Sequence, residues 1–155
     1  TVGASGRPFV IGTDAAFKFC ATVKIVDVSG TDDFQIGFRR AETVNSAFDD
    51  YLDAATFSVN TSANPAAVKL ETILNNAATT STDTTDTLAD ATSKKFCILV
   101  SAGGVVTYTN AGAAPTTTAA FTFDDGDPVV PFIRVLQHAD VTGELNIEEW
   151  EVAYQ

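Results

Sequence analysis

Apolar and polar residues alternate along much of this chain with the period of two that is typical of β-strands. The alternation is clearest over residues 17–25, where one face is apolar and most of the other carries Lys and Thr. The apolar face consists of Phe17, Phe19, Ala21, Val23 and Ile25. Residues 34–38 repeat the pattern with Phe34, Ile36 and Phe38. Both segments are predicted to be strands with one face in a core.

Residues 94–112 predict a β-hairpin, with the sequence KKFCILVSAGGVVTYTNAG. The first arm is almost entirely apolar and the second alternates, with Val106 and Tyr108 on one side. Ala102-Gly103-Gly104 provides the turn, because glycine adopts positive φ without a Cβ clash.

Two segments depart from regular alternation. Phe48, Tyr51, Leu52 and Ala55 have helical spacing, which predicts a short helical turn near residues 46–54. Near the C-terminus, Leu145 and Ile147 share one parity, whereas Trp150, Val152 and Tyr154 share the other. One face holds all five only if an extra residue is inserted, so a β-bulge is predicted near Glu148-Glu149.

These elements predict an all-β fold of two packed antiparallel sheets, with at most the one helical turn near residues 46–54. With 155 residues the chain is long enough for one domain with a substantial core. We assign the β-sandwich to residues 17–155 and a flexible N-terminal arm to residues 1–16. The arm carries an apolar patch, Phe9, Val10 and Ile11; it would either add as an edge strand or dock this patch into a neighbouring subunit.

The net charge of −11 and the pI near 4.2 disfavour binding to nucleic acid or to an anionic membrane surface. No apolar run has the length needed to span a bilayer. Cys20 and Cys97 both lie in apolar strands without metal-type or redox-type spacing, so two buried thiols are the expected state. Their number also allows one disulfide, and the sequence leaves that choice open.

Candidate catalytic and metal-binding residues are sparse, so no catalytic residue, cofactor or metal site is predicted. The one histidine, His138, ends an apolar strand and is expected to be structural. Asp124, Asp125 and Asp127 surround Gly126 and could bind calcium, but EF-hand spacing is missing and turn formation is expected. Whether they bind calcium stays open. The pattern predicts that the protein is not an enzyme.

Carbohydrate binding is the remaining chemical possibility. Saccharide sites stack an aromatic ring on the sugar and surround it with polar groups. The sequence offers Trp150, Tyr108, Tyr51 and Asn110 for this purpose. Each aromatic residue also fits the apolar face of its own strand, which is the commoner situation.

The order of segments resembles the concanavalin A-like (laminin G-like) jelly-roll sandwich. The segments that carry this resemblance are FKFCATVKI, DFQIGF, VKLETI, the hairpin, FIRVLQ and LNIEEWEV. Other stretches are similar to structural proteins of marine tailed bacteriophages, namely VKIVDVSGTDDFQIGFRRAE, ETILNNAATTSTDTTDTLAD and APTTTAAFTFDDGDPVVPF.

The phage resemblance implies a non-enzymatic virion protein on the outer surface of a capsid or fibre. It would be a capsid decoration, cement or head-fibre subunit, held by the major capsid protein or other virion subunits and forming a homo-oligomer. The alternative is a lectin-like module of a phage fibre or secreted protein, with a glycan as its partner. A third possibility is an accessory domain of a secreted hydrolase.

Overall fold

The computed structural model describes residues 2–3, 7–60, 64, 66–137 and 144–155. This part of the chain contains short 3-10 turns at Val28–Gly30 and Phe48–Asp50 and is otherwise built from strands and loops. The strands are β1 (Val2–Gly3), β2 (Phe9–Val10), β3 (Phe17–Ile25), β4 (Asp33–Arg40), β5 (Ala54–Val59), β6 (Ala67–Ile73), β7 (Thr80–Thr87), β8 (Ser93–Val100), β9 (Val106–Asn110), β10 (Pro128–Leu136) and β11 (Leu145–Tyr154).

The strands form two antiparallel sheets, which confirms the predicted all-β sandwich. The seven-stranded sheet has the order β1-β10-β4-β5-β6-β7, and β2 also pairs with β10. The four-stranded sheet has the order β11-β3-β8-β9. Strands that pair in each sheet are often far apart in sequence. Their register is therefore determined by the tertiary structure and not by the local sequence.

The core lies between the two sheets and uses the faces that the alternation predicts. Phe34, Ile36 and Phe38 on β4 have no exposed side-chain area, and the apolar face of β3 is buried as well. The Phe38 ring meets the Phe17 ring across the two sheets, with centroids 5.1 Å apart. Phe57 makes the corresponding contact with Phe96, at 4.7 Å. Rings packed in this way contribute beyond their buried area.

The predicted hairpin is present as β8 and β9. Its turn ends at Gly104, which has φ +84°. A side chain at Gly104 would also meet the carbonyl of Phe123, so glycine is needed for both conformation and space.

The predicted β-bulge in β11 is confirmed, because the register with β3 shifts between Ile147 and Glu149. After the bulge, Trp150 lies opposite Ala21 and Tyr154 lies opposite Phe17, on the face that points towards the core. Trp150 and Tyr154 are nevertheless each 56% exposed. β11 is the edge strand, and the core does not extend far enough to cover them.

Phe9, Val10 and Ile11 lie within the fold of their own chain. β2 pairs with β10 on the edge opposite β4, and the Phe9 ring stacks on Phe17 with centroids 4.2 Å apart. Ile11 is 1% exposed, and its N–H donates to the Asp127 carbonyl at 3.0 Å. These three residues, which the sequence predicts in a flexible arm, pack against the sandwich because β10 offers them an edge. Their contact with a second subunit stays a prediction.

Cys20 and Cys97 form a disulfide bond, which corrects the expectation of two buried thiols. The two residues face each other directly in the register of β3 and β8. They are separated by 77 residues in sequence, so their proximity depends on sheet topology. The bond lies on the outer face of the four-stranded sheet, because the neighbours Phe19 and Ala21 point into the core.

The expectation about residues 46–54 can now be made specific. The helical turn consists of three residues, Phe48–Asp50, in a 3-10 conformation. β7 is rich in threonine, and its Thr84 is buried and donates to the Val68 carbonyl at 2.6 Å. In the part of the chain that the structure describes, no helix has the length and apolar character required to cross a membrane.

Candidate ligand-binding groove

An open groove of about 420 Å³ lies on the outer face of the seven-stranded sheet, away from the core. That volume falls in the range of roughly 300–1,000 Å³ that is common for ligand pockets. Strands β4, β6 and β10 contribute Asp33, Gln35, Glu71, Arg134 and Leu136. Loops contribute Ser46, Ala47, Phe48, Asp49, Asn60 and Thr79.

The pattern of the strands explains why polar side chains collect here. Gln35 lies between Phe34 and Ile36 on β4, so it points away from the core that they occupy. The register pairs Gln35 with Arg134 on β10 and with Ser58 on β5. All three side chains therefore share the outer face of the sheet.

A charged hydrogen-bond network forms the floor of the groove. Arg134 Nη1 donates to Gln35 Oε1 at 2.9 Å, and Nη2 donates to the Ser46 carbonyl at 2.6 Å. Arg134 is 7% exposed and Gln35 is 6% exposed. Hydrogen bonds to a charged group contribute more than neutral ones, particularly where water has little access. The network thus fixes the loop around Ser46 against the sheet.

The loop over residues 41–52 forms one wall of the groove. Asn45 Nδ2 donates to the Asp50 carbonyl at 2.9 Å, and the Leu52 N–H donates to Glu42 Oε1 at 2.8 Å. Tyr51 is fully buried beneath the loop, with the Arg39 guanidinium 5.0 Å from its ring centre. These contacts anchor the loop from both ends.

The aromatic ring of Phe48 is part of this wall. It is half-buried, with its centroid 6.3 Å from that of Tyr51. A half-exposed ring next to polar groups provides an apolar surface and hydrogen-bonding partners in one place. The groove can therefore hold a ligand that has both apolar faces and hydroxyl groups.

The residues that the sequence offered for carbohydrate binding do not come together. Tyr51 is buried under the groove wall, and Tyr108 and Asn110 are 3% and 8% exposed on β9 of the other sheet. Trp150 is exposed on the edge strand β11 rather than packed on its apolar face. His138 lies outside the described residues.

The Asp124–Asp127 loop forms a structural cluster at another position. Arg40 Nη1 lies 3.3 Å from both Asp127 Oδ1 and Asp53 Oδ2, and Asn75 Nδ2 donates to Asp124 Oδ2 at 2.9 Å. Burial and the adjacent Asp53 carboxylate raise the pKa of Asp127. Across the described residues, no group of three or more His, Cys, Asp or Glu side chains is positioned to hold a metal ion.

Sequence reasoning missed Gln35, Glu71 and Arg134 as site residues. A usable signal was present, since Gln35 and Arg134 interrupt strands that are otherwise strongly apolar. The pattern of FIRVLQ favours a strand with apolar residues on both faces, and that interpretation takes no account of its arginine. The convergence of these residues depends on the pairing of β4 with β10, and these strands are about a hundred residues apart.

No protein-family model matches the chain, and no curated protein matches it. Solved structures do resemble it. An alginate lyase from Pseudomonas aeruginosa is 17% identical, with a TM-score of 0.61 over 97% of this chain and 70% of the lyase. A galectin from Caenorhabditis elegans is 12% identical, with a TM-score of 0.52 over 94% of each chain. A carbohydrate-binding module from Bacillus subtilis is 12% identical, with a TM-score of 0.56 over 89% of this chain and 76% of the module.

At these identities the likeness concerns the fold. It agrees with the two antiparallel sheets and the near absence of helix described above. The chain therefore has a jelly-roll β-sandwich fold, as the order of its strands predicted.

Proposed function

We propose that this protein is a carbohydrate-binding domain that holds a saccharide in the groove between the loop 41–52 and strands β4, β6 and β10. The observation that carries the proposal is the half-buried Phe48 ring beside the fixed Arg134–Gln35 pair. A pyranose has apolar C–H faces and a rim of hydroxyls, so it matches a ring next to polar side chains.

The fold likeness supports the same proposal. The names of two of the similar structures, a galectin and a carbohydrate-binding module, denote sugar-binding proteins. The third name denotes an enzyme, an alginate lyase. We propose binding without catalysis for this chain. Arg134, the cation in the groove lining, is held by hydrogen bonds within the protein, so it is not available to stabilise charge that develops on a reacting substrate.

This proposal favours the lectin-like alternative over the capsid decoration, cement or head-fibre role. None of the three similar structures above is a virion protein, so the virion location, capsid partners and homo-oligomer stay predictions. A glycan-binding domain on a phage fibre or on a secreted protein would be consistent with the groove.

The proposal is tested by isothermal titration calorimetry against a panel of soluble oligosaccharides, with neutral, amino and acidic sugars represented. Phe48→Ala is expected to weaken binding of the best ligand at least tenfold, because the stacking surface is lost. Trp150→Ala is the matched control, since it removes an exposed aromatic ring from the other sheet. Binding that survives Phe48→Ala but is lost in Trp150→Ala would place the site elsewhere, and a panel without any ligand would refute the proposal.

A further inference from the structure

We infer that the groove prefers saccharides that carry protonated amino groups over saccharides that carry carboxylates. This inference rests on the proposed function and specifies the chemical class of the ligand. Three of the residues that line the groove are acidic, namely Asp33, Asp49 and Glu71. The cation in the same lining is Arg134.

The guanidinium group of Arg134 forms its hydrogen bonds within the protein. One of its terminal nitrogens donates a hydrogen bond to Gln35 and the other donates to the Ser46 carbonyl. The residue is 7% exposed. A uronate would normally be bound through both terminal nitrogens of an arginine in a bidentate pair. Arg134 could form that pair only by giving up its bond to the loop.

Other basic groups on this face lie outside the groove lining. Lys69 projects from β6 on the same face as Glu71, between Ser58 on β5 and Asp83 on β7, and it does not contribute to the groove lining. Arg39 is 7% exposed and donates to the Arg40 and Glu42 carbonyls at 2.9 and 3.0 Å. An incoming anion therefore approaches carboxylates first, on a chain whose net charge is already −11.

Two hydroxyl groups provide an independent indication of a polar ligand. Thr79 Oγ1, in the groove lining, is buried and has no hydrogen-bond partner among the described residues. Ser58 Oγ is also buried without a partner among the described residues; Ser58 lies outside the groove lining, next to Gln35 on the same face of the sheet. Buried hydroxyls are normally paired. The hydroxyls can donate or accept, whereas the ionised carboxylates only accept; the carboxylates therefore suit a ligand that is rich in donors, and an ammonium group is exclusively a donor.

The test compares three oligosaccharides of equal length by calorimetry at about pH 6, where glucosamine units are largely protonated. They are the tetramers of glucosamine, N-acetylglucosamine and a hexuronate. The glucosamine tetramer should bind most tightly and the uronate most weakly. In this open groove each carboxylate is expected to contribute about fivefold to the affinity for an ammonium about 4 Å away.

The variants Glu71→Gln and Asp49→Asn should therefore weaken binding of the glucosamine tetramer about fivefold each. They should weaken binding of the N-acetylated tetramer by a smaller factor, because that ligand carries no ammonium group for the carboxylates to attract. Glu149→Gln is the matched control on the exposed outer face of the four-stranded sheet, and it should change neither affinity. It separates a local effect from general attraction by the acidic chain.

The outcomes separate this inference from the proposed function. Equal affinity for the amino and N-acetylated tetramers, or a preference for the uronate, would overturn the inference and leave saccharide binding intact. The inference is also overturned if the glucosamine tetramer fails to bind a protein that binds other sugars of the panel. Failure of every saccharide would overturn the proposed function itself.

Discussion

Removal of the Cys20–Cys97 bond is expected to lower the free energy of unfolding by several kcal/mol. The double variant Cys20→Ala/Cys97→Ala is the perturbation of choice, because it removes the bond without leaving a thiol. Cys20 is 3% exposed on the outer face of the four-stranded sheet, and the strands on either side of the bond stay paired by their backbones. The main effect should therefore arise in the unfolded chain, which loses a covalent constraint.

The magnitude follows from the length of the closed loop. With a separation of 77 residues, the chain-entropy relation gives about 15 cal/mol/K, which corresponds to about 4.5 kcal/mol at 25 °C. For a domain of 155 residues, such a loss lowers Tm by about 10–15 °C. The expected loss of about 4.5 kcal/mol is a large fraction of the free energy of unfolding of a typical domain, which is roughly 5–15 kcal/mol.

Urea unfolding followed by far-UV circular dichroism measures the loss. The single variant Cys97→Ala is the control, because it breaks the same bond but truncates one side chain fewer. It should resemble the double variant, and the wild type in reducing agent should resemble both. A difference below about 1 kcal/mol between the wild type and the double variant would refute the reasoning. The entropy that closing a 77-residue loop removes from the unfolded chain corresponds to a much larger free energy.

Two further predictions concern the sheet that carries the groove. Gly37→Ala should lower the free energy of unfolding by about 1–3 kcal/mol in the same assay, because the added Cβ would overlap the backbone of β5. An unchanged urea midpoint would contradict the close packing at Gly37. Burial and the Asp53 carboxylate raise the pKa of Asp127 above its ordinary 3.8, so its stabilising effect is complete below pH 3.8 and is lost as the pH rises through the native pKa. Asp127→Asn should therefore gain stability relative to the wild type as the pH rises above 3.8, with Asp125→Asn in the same loop measured as the control; a relative loss of stability in Asp127→Asn would show the sign to be wrong.

The core faces of this fold could be predicted from the sequence because their signal is local. Alternation in β3 and β4 fixes which side chains share a face, and Phe19 and Ile36 are buried as that pattern requires. The bulge in β11 was predictable for the same reason, since a change of parity within ten residues needs an inserted residue.

Features that depend on register between distant strands could not be predicted. The opposition of Cys20 and Cys97 is set by the pairing of β3 with β8, and alternation within each strand carries no information about it. The position of Ile11 has a similar origin. Its burial depends on the edge of β10, a strand that follows β2 by more than a hundred residues, so the local sequence predicted a flexible arm instead.

The groove shows why a strand pattern is also insufficient to assign a functional arginine. Arg39 and Arg134 both project from the outer face of the same sheet, and both are 7% exposed. Arg39 lies under the loop 41–52, with its guanidinium 5.0 Å from the Tyr51 ring centre and 5.8 Å from that of Phe132. Arg134 lies beside the middle of the loop and donates to the Ser46 carbonyl. The path of the loop therefore decides which arginine is packed under the wall and which forms the floor of the groove, and alternation along the strands does not encode that path.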